Sequence, residues 1–182
     1  MGEAPATFPL LWFSETRDVP PGTPRRMGKE PSPMTTTEEN KALFRRTYEE
    51  LLNGGDLSVA DELVATDFIN HEAPRGRDRG PESMRGLATM LRTAFPDLHF
   101  EIEELVAEGD VVAGRLTMSG THEGMLMGTP PTGNSVRQDH MHFVRFRDDK
   151  AVEHWGVRDD LGMMQQLGVI PEPGQPVETE PT

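Results

Sequence analysis

The chain has 182 residues, a formal net charge of −13 and no cysteine, so it has no disulfide, no thiolate nucleophile and no Cys-based zinc site. No apolar run approaches the ~18 residues that a membrane span requires, and the acidic balance repels a phosphate backbone. The expectation is a soluble, cytoplasmic protein that engages neither nucleic acid nor membrane.

Seven of the 16 prolines fall in residues 1–33 and four more between 171 and 182. Neither end carries a sustained apolar period, so residues 1–35 and 171–182 are expected to be disordered tails around one domain at 36–170. The N-terminal "FPLLWF" is too short and too Pro-broken for a signal-peptide core. Met34, just ahead of the first helix signal, is a candidate start of the functional unit.

In chain order, Thr36 and Glu39 stand at capping-box spacing. Behind them Leu43, Phe44, Tyr48, Leu51 and Leu52 share one side at helical spacing, and Gly54 and Gly55 end the run. "LSVADELV" predicts a second, short helix. "GPESMRGLATMLRTAF" predicts a third, with Pro81 in its first turn. After Pro96 the period changes from 3.6 to 2. "DLHFEIEELVAEGD", "VVAGRLTMSGTHEG", "SVRQDHMHFVRF" and "AVEHWGVRD" read as four strands, and "LGMMQQLG" as a closing helix. Helices followed by hairpin-connected strands predict an α+β fold, with a mostly antiparallel sheet curved around helices.

Side chains two apart on a strand share a face. Leu116 and Met118 set the inward side of one strand, and His122 shares their parity. Val144 and Phe146 set the inward side of the next, which also carries Gln138, His140 and His142. Three histidines on adjacent inward positions are costly to bury without partners, at about 1–3 kcal/mol for each unpaired group. They therefore predict a small-molecule pocket in the concavity. Asn70 and His71, in "DFINHEAP" between helices, are expected to cap its mouth, with Gln138 near the rim. Trp155 opposes His154 and Gly156 by parity, which leaves it either a core or interface aromatic or part of the pocket. Outward-facing Met141 and Phe143 are apolar, and a homodimer through the sheet would cover them.

The order "FINH", "GPESM", "LRTAFPDLHFEIEELVAEGD", "GTHEG", "GTPPTG", "HMHFVRF", "EHW" and "QQLG" resembles the SnoaL-like polyketide cyclases, or ester cyclases, of the nuclear-transport-factor-2-like superfamily. The resemblance runs from Asn40 to Val169. It implies a cone-shaped α+β barrel that is usually dimeric, and ring closure by intramolecular aldol condensation without metal or organic cofactor. It matches His142, His122, Asn70 and His154 to family positions, and puts His140 where the cyclases carry a glutamine. It makes His142, His122 and His140 the catalytic candidates. Asn70, His71, Gln138, His154, Trp155 and Asp159 are the substrate-binding ones. Asp97 matches a family residue but is expected to form a turn after Pro96.

One position departs from the family. The cyclases' catalytic aspartate on the last strand aligns with Gly156. A histidine, with an unperturbed pKa of about 6.5, needs little tuning to replace it as base. Asp159 either orients such a histidine or caps the closing helix. Two rival readings follow from the same residues. The missing acid favours a non-catalytic small-molecule-binding protein. His140 and His142 with His122 and His71 have the composition of a three-His metal site, although the resemblance implies no metal.

Overall fold

The computed structural model describes residues 36–73, 76 and 78–171; the expected tails at 1–35 and 171–182, apart from Pro171, lie outside the described residues. Thr36 caps α1 (Thr37–Arg46) reciprocally: Glu39 N donates to Thr36 Oγ1 at 3.2 Å, and Thr36 N donates to Glu39 Oε2 at 2.7 Å. The helix then widens into a π-helical stretch, Thr47–Asn53, which keeps Tyr48, Leu51 and Leu52 buried. A 3-10 turn at Leu57–Val59 leads into α2 (Ala60–Leu63), a single turn.

Val64–Asn70 is a strand, β1, where the sequence reading places a link between helices. Its burial does not alternate, because the register shifts between Val64 and Ile69 where it pairs with the last strand. An irregular edge strand shows no period of two to read. After it come α3 (Gly80–Ala94), β2 (His99–Glu108), β3 (Val111–Thr121), β4 (Ser135–Arg147), β5 (Lys150–Arg158) and α4 (Asp160–Gln166). The sheet order is β1-β5-β4-β3-β2. β1 runs parallel to β5, and the other neighbours are antiparallel. The fold is therefore α+β as expected, with five strands rather than four. Among the described residues no helix is long and apolar enough to cross a membrane.

On β4 burial alternates almost without fault, with Val136, Gln138, His140, His142, Val144 and Phe146 inward. α1 packs on β2 and β3 beside that face, and its Phe44 joins the core with Tyr48, Leu51 and Leu52 of the π-helical stretch. Gly114 allows the close approach: a Cβ there would lie 2.6 Å from the Phe44 ring. Tyr48 stacks on Phe44 at 4.9 Å and meets the edge of Phe100 at 5.3 Å. α3 packs on β1 and α4 on β4, which leaves a hollow between helices and sheet.

Candidate active site

That hollow is a cavity of about 710 Å³. Most of its wall is apolar, from Phe44, Leu52, Phe68, Met84 and Met118 among others. Its polar wall comes from the end of β1, from β4 and from β5. There Asn70, Glu72, Gln138, His140, His142, His154 and Arg158 meet. β4 and β5 are antiparallel neighbours that pair His142 with Gly156 and Val144 with His154, while β1 pairs Asn70 with His154.

The polar groups form a chain whose two ends fix the protons within it. At one end the Asp160 carboxylate accepts from Gln138 Nε2 at 2.9 Å, so Gln138 turns its carbonyl oxygen to His140 Nε2, also at 2.9 Å. His140 Nε2 must then carry the hydrogen. Burial, with His142 and Arg158 nearby, lowers the His140 pKa to about 3, so the ring is neutral and its Nδ1 is bare. That atom accepts from His142 Nε2 at 3.1 Å. At the other end the Glu72 backbone N–H donates to Asn70 Oδ1 at 3.1 Å, which fixes the amide. His154 Nδ1 donates to the same oxygen at 3.1 Å. Burial, with His142 beside it, lowers His154 to about 3 as well, so its Nε2 is bare.

The two ends converge. His142 Nδ1 faces His154 Nε2 at 2.9 Å. Glu72 Oε1 lies 3.5 Å from the first and 3.4 Å from the second. Burial raises the Glu72 pKa, but His142, His154 and Arg158 beside it outweigh that and hold the carboxyl at about 2. Arg158 pairs with Glu72 Oε2, and at about 2 Glu72 is ionised across the neutral range. Among the described residues Oε1 is buried and has no hydrogen-bond partner. Three electron-rich atoms thus point at one spot on the cavity wall, which favours a positive charge there.

Gly156 explains how Glu72 gets in. A Cβ on residue 156 would lie 1.9 Å from Glu72 Oε1 and 2.5 Å from His142 Nδ1. The carboxylate, carried by the turn after β1, occupies the space into which a side chain on β5 would project.

The structure brings His142, His140, His154, Asn70 and Gln138 together and sets four other expected residues elsewhere. His122 is fully buried but lies past the end of β3 and does not line the cavity. Its Nδ1 is 3.1 Å from Thr132 Oγ1, its ring packs 5.5 Å from Phe95, and its backbone pairs with Asn134 and Gly133. His71 does not close the mouth: its ring stacks on Trp155 at 4.8 Å, and its Nε2 is 3.4 Å from Glu153. Trp155 faces away from the cavity, under the Arg145 guanidinium at 5.5 Å. Asp159 caps α4 by accepting from Gly162 N at 2.9 Å. Asp97 holds the end of β3, accepting from Thr121 N at 2.6 Å and from the Thr121 hydroxyl at 2.8 Å. The metal constellation of His140, His142, His122 and His71 is therefore not assembled.

Sequence reasoning missed Glu72, Arg158 and Asp160. Arg158 was within reach, since it continues the inward parity of His154 and Gly156 on β5. Glu72 lies in a turn, where parity has no meaning.

A family profile described as SnoaL-like polyketide cyclase matches residues 42–167. An aklanonic acid methyl ester cyclase of Streptomyces peucetius is 33% identical over 69% of this chain and 88% of its own. A nogalonic acid methyl ester cyclase of Streptomyces nogalater is 30% identical over 64% of this chain and 88% of its own. Among solved structures, TsrD of Streptomyces laurentii superposes with a TM-score of 0.69 at 25% identity, covering 75% of this chain and 99% of that one. IdmH of Streptomyces antibioticus gives 0.62 at 35% identity, covering 71% and 99%.

Proposed function

We propose that this chain, which belongs to the SnoaL-like polyketide cyclase family, closes a ring by intramolecular aldol condensation on a polyketide acid methyl ester or a close analogue. His142 and His154 carry the proton, and Glu72 is the counter-charge. The observation that carries this reading is the meeting of His142 Nδ1, His154 Nε2 and Glu72 Oε1 at the wall of a cavity of about 710 Å³. That volume falls in the ~300–1,000 Å³ range of sites for drug-sized ligands.

The proton alpha to a substrate carbonyl passes to His142 Nδ1, where His154 Nε2 shares it. The C–H electron pair becomes an enolate. Its carbon bonds to a second carbonyl carbon of the same molecule, whose π bond breaks to an alkoxide, and the alkoxide takes the proton back. No electron is gained or lost, so the step balances without an oxidant. Glu72 stabilises the imidazolium while it lasts, as a buried carboxylate does beside any catalytic histidine. Arg158 and the Tyr48 hydroxyl are the donors for the enolate oxygen. Burial, with Glu72 nearby, pushes the Tyr48 pKa upward, so the phenol keeps its proton.

The test is turnover of aklanonic and nogalonic acid methyl esters by the wild-type chain and by His142→Ala. Ring closure by the first and its loss in the second support the reading. Tight binding of these esters without conversion, by wild type, would instead establish a binding protein. The cyclase reading is supported over that rival by Glu72, whose carboxylate, from another segment, occupies the space beside Gly156. We also assign the outer face of the sheet, where Met141, Phe143 and Val157 are 59%, 52% and 75% exposed, to a second copy of the chain. Sedimentation as a monomer at micromolar concentration rejects that assignment.

A further inference from the structure

We propose that Glu72, His142 and His154 also form a three-ligand site for a divalent cation of the zinc type, and that such an ion blocks the reaction proposed above. The three donor atoms are 2.9, 3.4 and 3.5 Å apart. A tetrahedral zinc ion with bonds of ~2.0–2.1 Å holds its ligand atoms ~3.3 Å apart. The fit therefore requires shifts of a few tenths of an ångström rather than a rearrangement. Two imidazole nitrogens and one carboxylate oxygen suit zinc or a neighbouring transition metal better than magnesium or calcium, which prefer all-oxygen shells. Three protein ligands leave a fourth position, and all three ligands line the cavity.

The surrounding groups already do what a metal site needs from its outer shell. Asn70 Oδ1 accepts from His154 Nδ1 at 3.1 Å, which turns the bare Nε2 inward. His140 Nδ1 accepts from His142 Nε2 at 3.1 Å, which does the same for the Nδ1 of His142. Arg158 holds the other oxygen of Glu72. Oε1, buried and without a hydrogen-bond partner among the described residues, is the independent sign that the cluster is built around a positive charge. A proton on His142 Nδ1 satisfies two of the three atoms. A metal satisfies all three, and it occupies the atoms that the proposed reaction uses for its proton. The inhibitory consequence rests on the function proposed above; the binding site does not.

The experiment is competition for Zn²⁺ between the untagged full chain, freed of metal by chelation, and a chromophoric chelator. One equivalent is expected to bind. Glu72→Ala and His154→Ala should each weaken it by ~10²-fold or more, and Asn70→Ala by ~10–100-fold. His71→Ala and His122→Ala, with histidines remote from the cluster, should bind as wild type does. Co²⁺ in place of Zn²⁺ should give the intense visible bands of a tetrahedral site, lost in His142→Ala. Circular dichroism of each variant separates lost ligands from lost fold. No stoichiometric binding by wild type, or equal binding by Glu72→Ala and His154→Ala in their folded state, overturns the site. Binding needs no substrate, so a metal site in an inactive protein sinks only the cyclase reading. Cyclase activity that persists with one Zn²⁺ bound sinks the inhibition.

Discussion

His142 on β4 and His122 just past the end of β3 are both buried imidazoles, yet their surroundings differ in kind. His142 has a histidine on each side, with a carboxylate and an arginine within the same network. His122 has a threonine, a phenylalanine ring and the backbone of its own loop. The difference is one of position along the strand. His142 lies opposite Gly114. His122 follows eight residues later, which at ~3.3 Å per residue is about 25 Å along the sheet. Parity decides which face a residue joins, and distance along the strand decides which neighbours it meets there.

The largest test of this contrast pairs the two alanine variants. His142→Ala is expected to lower turnover by ~10²-fold or more with the folded state retained. His122→Ala should leave turnover unchanged and cost about 2–3 kcal/mol of stability, because it opens a cavity against Phe95 and frees Thr132. Steady-state rates and denaturant midpoints on both variants decide it. Reversed roles would sink the proton-carrier assignment.

Next in size are the changes around Gly156. Glu72→Gln should lower turnover by ~10²-fold, the scale of losing one electrostatic partner of a transition state. Gly156→Ala pushes a methyl into the Glu72 carboxylate and against His142 Nδ1, the ends of side chains rather than backbone, so activity should fall further than stability. Glu72→Ala with Gly156→Asp moves the acid onto β5, and it should recover part of the rate that Glu72→Ala alone loses. A double variant no better than the single one would mean that the space, not the carboxylate, matters.

Acid sensitivity separates the same two regions. His140 and His154 are held near 3 in the folded chain, whereas an unfolded histidine titrates at about 6.5. Below that value the unfolded state binds more protons, so stability declines as pH drops from about 6.5 toward 3, by up to ~1.4 kcal/mol per pH unit for each ring. Glu72, lowered to about 2, adds its own loss below the unfolded value of 4.5. Unfolding measured with chelator present should show this slope, and His140→Gln should flatten it. An unchanged slope would remove the neutral His140 from the network. The smallest effect is at Asp159, outside the network. Asp159→Ala should cost ~1 kcal/mol as a lost helix cap and leave the pH slope alone.

The sequence by itself determined the α+β class, the capped first helix, the four regular strands and the inward row of Gln138, His140 and His142. Each rests on a period or a local cap, and those are properties of neighbouring residues. The family was equally legible, since motif order and spacing survive in the chain from Asn40 to Val169. Tertiary structure alone decided the rest. β1 pairs in parallel with a strand about 85 residues later, through a shifted register that no alternation announces. His71 and Trp155 found each other on the outer side of the sheet, and His122 ended a strand's length from the cluster it was expected to join. Most consequentially, Glu72 reached the place opened by Gly156. A side chain in a turn has no periodicity to betray its direction, and the vacancy it fills belongs to a different strand. Only the packed fold puts the two side by side.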